Sequence, residues 1–119
     1  MILNCSILKV CDNSGAKYIK CFKISKTPMG VMGSVIYASI KSIYLNTKTQ
    51  KGSIVKAIIV RTKSLYSRKN GNFINFQINE VVLLNQKYEF LGTRIFGPVP
   101  LELRKKHSLK LLSLSSYFL

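Results

Sequence analysis

Ile54-Val55-Lys56-Ala57-Ile58-Ile59-Val60-Arg61, IVKAIIVR, is the stretch whose reading decides the fold. Five of its eight residues are β-branched. Branching at Cβ stiffens χ1 and suits a pleated strand better than a helix. A run so nearly continuous in apolar residues predicts a central strand. On its N-terminal side, Val35 to Lys41 alternates: Ile36, Ala38 and Ile40 face one way, Ser39 and Lys41 the other. Tyr18 to Ile24 repeats the pattern, with Ile19 and Cys21 on one face and Lys20 on the other. Phe73 to Phe76 and Val81 to Leu84 read as two further short strands.

Residues that tolerate tight or left-handed backbone separate these runs: Asn13-Ser14-Gly15, Pro28-Met29-Gly30, Lys51-Gly52 and Asn70-Gly71. Short strands closely spaced by turns predict a mainly β domain, a small barrel or sandwich. A barrel would also hide its strand edges. The basic segment Ser64 to Asn72 contains Asn-Gly, a hairpin signal, and is expected to project. After Pro100 the pattern changes. Leu101 to Lys106 suits a first helical turn, with Glu102 placed to pair with Lys106. Leu109, Leu111, Leu112 and Leu114 predict a second short element packed on the barrel. The Tyr117-Phe118-Leu119 ending is expected to pack there too, against the alternative of a membrane-surface anchor.

At 119 residues the chain is read as one domain. Its formal charge of +15 comes from nineteen basic residues against Asp12, Glu80, Glu89 and Glu102. Such an excess repels itself unless an anion neutralises it, and the cations are spread along the whole sequence. Nucleic acid is the partner this charge points to, with an anionic membrane surface as the competitor. The longest apolar runs, Ala57 to Val60 and Val81 to Leu84, are far short of the about 20 residues a spanning helix needs. No basic segment precedes an apolar block at the N-terminus, and the opening residues are not Arg/Ser-rich.

Catalysis finds little support. The four acids form no evident pair, Asp12 being placed instead to cap the turn it precedes. His107 stands among Arg104, Lys105 and Lys106 with no orienting acid. Cys5, Cys11 and Cys21 fit no zinc spacing and are read as free buried thiols. No metal or cofactor is expected. Lys9, Lys17, Lys20, Lys23, Lys41, Lys56, Arg61 and Lys63 lie in or beside the strands. They suit phosphate contacts, and the scattered aromatics carry no signature for stacking successive bases, so structured RNA is the expected ligand.

One loop stands out. Gly92-Thr93-Arg94-Ile95-Phe96-Gly97-Pro98-Val99-Pro100 holds one of only four arginines. Glycines and prolines restrict its path, Ile95 and Phe96 are expected to anchor it in the core, and Thr93 and Arg94 to face outward.

Taken together, several blocks resemble the universal large-subunit ribosomal protein L-fourteen family: Asp12 to Ala16, Lys51-Gly52 leading to Val55 to Lys63, Asn70-Gly71, Phe76, Asn79, Val82 to Asn85, Gly92 to Val99 and Glu102 to Arg104. The likeness spans essentially the whole chain, in order. It implies a five-stranded β-barrel over about 1–99 with a projecting β-hairpin ribbon, and a short helical C-terminal part over about 100–119. It implies a non-enzymatic structural constituent of the large ribosomal subunit that binds large-subunit rRNA and helps bridge to small-subunit rRNA. Implied neighbours are ribosomal proteins of the L-three and L-nineteen families and, in bacteria and mitochondria, a ribosome silencing factor. Expected rRNA contacts are Lys9, Asn13, Ser14, Lys17, Lys20, Lys23, Lys41, Lys51, Lys56, Arg61, Lys63, Arg68, Lys69, Arg104 and Lys105; expected on the bridging and docking surface are Thr93, Arg94 and Lys110. The chain departs from the family pattern at Ser34 and Ser53, where Asp is usual, and at Gln77-Ile78, where Asp-Gly is usual. Thirteen isoleucines, with many Lys, Asn, Tyr and Phe, suggest an A/T-rich genome. A mitochondrial ribosome is the favoured setting, a plastid or bacterial one the alternative.

Overall fold

Seven strands and one short helix make up the described structure, a computed structural model covering residues 2–25, 28–44, 49–103 and 109–115. They are β1 (Ile7–Val10), β2 (Ala16–Ile24), β3 (Val35–Ile43), β4 (Ile54–Arg61), β5 (Tyr66–Ser67), β6 (Phe73–Ile74), β7 (Glu80–Leu84) and α1 (Leu109–Leu114). Five of them close a barrel in the order β1-β2-β3-β4-β7. All neighbours run antiparallel except at the seam, where β1 pairs parallel with β7 through Lys9↔Glu80 and Val10↔Val81. Of the two architectures open to the strand pattern, the barrel is the one formed.

The lumen is filled from every strand: Leu8, Ile19, Cys21, Ile36, Ile40, Ala57, Ile59, Val81 and Leu83 are among its buried residues. These are the inward members of the period-two pattern. β4 is apolar on both faces because a second core lies outside the barrel. There Val60 and Val82 pack with Cys11, Ile95, Val99, Leu103 and Leu111. The chain after β7 thus blankets the outer face of β4 and β7, while the outer face of β2 and β3 is left open.

β2 departs from simple alternation. Its register against β3 shifts at Ala16/Tyr18, Tyr18/Ile19 and Cys21/Lys23. Such irregularities let consecutive side chains share one side, and Lys17-Tyr18 and Phe22-Lys23 are both exposed pairs.

β5 and β6 form a separate two-stranded hairpin, with Arg68 N donating to Asn72 O across the Asn70-Gly71 turn. Its Arg68 forms a two-point ion pair with Glu102, Nε to Oε1 at 2.6 Å and a terminal nitrogen to Oε2 at 3.4 Å. Glu102 therefore pairs across space with the hairpin; Lys106, its expected partner, lies outside the described residues. So do Arg104, Lys105, His107 and the Tyr117–Leu119 tail. Of the expected C-terminal helical part, the described portion is the turn Leu101–Leu103 and the six residues of α1.

One expectation needs correction. Cys5 is exposed, so only Cys11 and Cys21 are buried thiols. Ser34, where an acid is usual, still closes its turn: its hydroxyl accepts the Val31 N–H at 3.1 Å.

Candidate nucleic-acid interface

The open barrel face carries the cations. Lys17 and Lys23 are exposed and Lys20 half-buried on β2, and Lys41 is exposed on β3. Aromatic neighbours steady several of them. Lys17 lies 5.0 Å from the centre of the Tyr44 ring. Lys23 and Lys56 lie 5.5 and 5.7 Å from that of Tyr37. Cation–π contacts of this kind orient an ammonium without neutralising it. Lys9 is half-buried at the seam beside Glu80. Lys51 is exposed next to Gly52, Lys63 just beyond β4, and Lys69 at the hairpin tip. The described cations therefore gather on β2–β3 and around the hairpin, with Lys9 at the seam, Lys51 in the turn before β4 and Lys56 on β4.

Arg61 belongs with none of these. Only 6% of it is exposed. Its guanidinium forms an ion pair with Glu80 and donates to the Pro98 carbonyl at 2.8 Å. A strand-end arginine reads in sequence like a phosphate contact. Here its donors are spent inside the protein, securing the path of the 92–97 loop. A Cβ on Gly97, at φ +84°, would run into that guanidinium. Backbone and arginine thus occupy the space a side chain would need.

The other end of the loop is held by the turn at 12–15. Asp12 is buried; its Oδ1 accepts from Ser14 N at 3.1 Å and Ser14 Oγ at 2.5 Å, and its Oδ2 from Leu83 N at 3.1 Å. Asp12 therefore caps its own turn, as its position suggests, and also pins that turn to β7. Burial raises its pKa above the ordinary Asp value, with these hydrogen bonds pulling the other way. Burial likewise pushes the Cys11 thiol up to about 12, opposed by the nearby Arg61 charge.

Asn13 faces the loop itself. Its Oδ1 accepts from Thr93 N at 2.8 Å and Arg94 N at 3.1 Å, and its Nδ2 donates to Thr93 Oγ1 at 2.9 Å. Phe96 N donates to Cys11 O at 2.7 Å. The approach is close: a Cβ on Gly92 would lie 2.8 Å from Asn13 Oδ1. Asn13 and Ser14, expected among rRNA contacts, thus act first on their own chain.

Ile95 is buried in the second core as expected, and Thr93 and Arg94 are exposed. Phe96 is not a core anchor; it is 50% exposed, and the Arg94 guanidinium lies 5.7 Å from its ring centre. The loop therefore presents a cation laid on an aromatic plate, a partnership the sequence signals only by the proximity of Arg94 and Phe96. Lys110 is exposed on α1.

Among the described residues, no group of three His, Cys, Asp or Glu side chains is placed to hold a metal. Fold and surface together define a class: a small closed β-barrel with a lysine-bearing outer face and a braced, arginine-presenting loop. The family model for ribosomal protein L14p/L23e matches residues 1–119. The chain belongs to that family, a family of ribosomal proteins that are structural constituents of the large ribosomal subunit and typically non-enzymatic.

Proposed function

We propose that this chain binds large-subunit rRNA through its open barrel face and hairpin, and contributes to a bridge with small-subunit rRNA through the 92–97 loop. The observation that carries the reading is the division of the barrel surface. One outer face is sealed under the second core, while the other bears Lys17, Lys20, Lys23 and Lys41. Phosphate contacts from that face position the protein on folded RNA without reading sequence. Lys9, Lys51, Lys56, Lys63, Arg68 and Lys69 extend the contact, with Arg104 and Lys105 assigned to it from the sequence. Arg61 supports the loop from within, and Asn13 and Ser14 shape its base.

Thr93 and Arg94, with Lys110, form the bridging surface and the docking surface for a ribosome silencing factor. A loop tied at both ends loses little further freedom on binding. Proteins of the L-three and L-nineteen families are the proposed neighbours. Composition favours a mitochondrial ribosome over a plastid or bacterial one.

Sucrose-gradient fractionation of the tagged chain tests the assignment; absence from the large-subunit fraction sinks it. Arg94→Ala tests the surface. It should weaken subunit joining while leaving the unfolding midpoint within about 0.5 kcal/mol of wild type, as for an exposed side chain. Equal loss of joining and stability refutes the surface role.

A further inference from the structure

Tyr88 has φ 64°, a left-handed conformation that non-glycine residues rarely adopt and that flags a position for scrutiny. The turn that imposes it is tightly tied. Asn85 Oδ1 accepts from Lys87 N and Glu89 N, both at 2.9 Å. Asn85 N donates to Glu89 O at 2.8 Å, and Tyr88 N to Asn85 O at 3.1 Å. The result is a ring 56% exposed, its centre 4.0 Å from the Lys56 ammonium.

That ammonium is itself held. It donates to the Gln86 carbonyl at 3.3 Å and also approaches Tyr37. Lys23, Tyr37 and Lys56 are register partners across β2, β3 and β4, so two cations attend one ring. Beside them lies a groove of about 240 Å³, lined by Tyr37, Lys56, Leu84, Gln86 and Leu91 among others. Lysine is ordinarily a mobile point charge. Lys56 is pre-positioned, and two neighbouring ammonium groups repel until an anion joins them.

We propose that this cluster is a nucleotide site: Lys23 and Lys56 hold the phosphate of one unpaired RNA nucleotide, whose base lies on Tyr88 at the mouth of the groove. The inference rests on the rRNA-binding reading and narrows it. Cations beside an exposed flat ring match a phosphate joined to a base, whereas an acidic peptide supplies the charge without the plane. A duplex keeps its bases stacked inside, so the nucleotide must be unpaired.

The test compares the full chain with Tyr88→Ala, Tyr88→Phe and Lys56→Gln. The probes are oligoadenylate, an abasic oligonucleotide of equal length, and fragmented large-subunit rRNA, with circular dichroism to check folding. Wild type and Tyr88→Phe should prefer oligoadenylate over the abasic strand by roughly tenfold, the scale of one base–aromatic stack. Tyr88→Ala should abolish that preference. Lys56→Gln should weaken both strands and lower the salt slope by about one contact. If wild type binds rRNA but shows no such preference, or if Tyr88→Ala retains it, the nucleotide site is wrong and the rRNA reading stands. If polyglutamate competes equally with both strands, the surface is an acidic-protein dock and the proposal falls. If wild type binds none of the RNAs, the rRNA reading falls and takes this site with it.

Discussion

Gly97→Ala puts the bracing of the 92–97 loop to a quantitative test. Gly52 and Gly71 serve as controls: they have φ of +87° and +89°, and nothing lies within 4 Å of an added Cβ. Alanine there meets only the left-handed backbone cost, about 1–2 kcal/mol, partly offset by a stiffer unfolded chain, for a net loss near ~1 kcal/mol. Gly97, at φ +84°, carries the same backbone cost, but its new Cβ meets the Arg61 guanidinium. Moving that group strains the Glu80 ion pair and the bond to Pro98 O. Separating a buried pair outright costs about 3–5 kcal/mol; straining it costs part of that, so with the backbone cost of about 1 kcal/mol Gly97→Ala should lose roughly 3–5 kcal/mol in all. For a chain of this length that is a fall in Tm of about 15 °C, against about 4 °C for the controls. Urea and thermal unfolding of the full chain measure both. In an Arg61→Met background the Gly97 penalty should shrink to that of the controls. If Gly97→Ala and Gly71→Ala agree within about 0.5 kcal/mol, the guanidinium is not a fixed obstacle and the bracing argument fails.

Asn13→Ala should cost only about 1 kcal/mol, because its bonds are exposed and water replaces them, yet amide exchange at Thr93 and Arg94 should quicken about tenfold; unchanged exchange means the loop is held elsewhere. In native protein at about pH 8, iodoacetamide should label exposed Cys5 and spare buried Cys11 and Cys21 until unfolding; mass spectrometry counting two labels on the folded chain contradicts this. Asp12 has a folded pKa raised by burial, so the folded state holds that proton more tightly than the unfolded chain does. Its contribution is full below the ordinary Asp value and is lost as pH rises through the folded one. Wild type should therefore gain Tm relative to Asp12→Asn as pH falls toward the ordinary Asp value, and a wild type that loses Tm relative to the variant on that descent refutes the assignment.

β4 and β3 were legible because their residues state their environments directly: mostly β-branched and nearly continuous in apolar residues in one, alternating in the other. The Asn70-Gly71 hairpin was legible because few dipeptides suit its turn. β1 was hidden, since Ile7 and Leu8 are both apolar while only Leu8 points into the lumen. The bulges of β2 were hidden too, because an irregular register depends on the partner strand. Site residues were misjudged where a distant group decides the outcome. Arg61 resembles any strand-end cation until Glu80 and Pro98 are brought beside it. Phe96 looks like core until Ile95 takes the inward place. Tyr88 offers no local clue at all, because its backbone is set by the bonds of Asn85.

The seam between β1 and β7 has a consequence for how the chain is made. Lys9 and Val10 must await Glu80 and Val81, about seventy residues later in synthesis. Hairpin partners β2, β3 and β4 meet as they emerge, but until β7 follows them the nascent sheet keeps two unpaired edges. The second core waits longer still, for Ile95, Leu103 and Leu111. Most of the polypeptide is therefore sticky and unfinished while it leaves the machine that makes it. Slowed elongation between β4 and β7 should expose this product to aggregation more than a pause anywhere after residue 115.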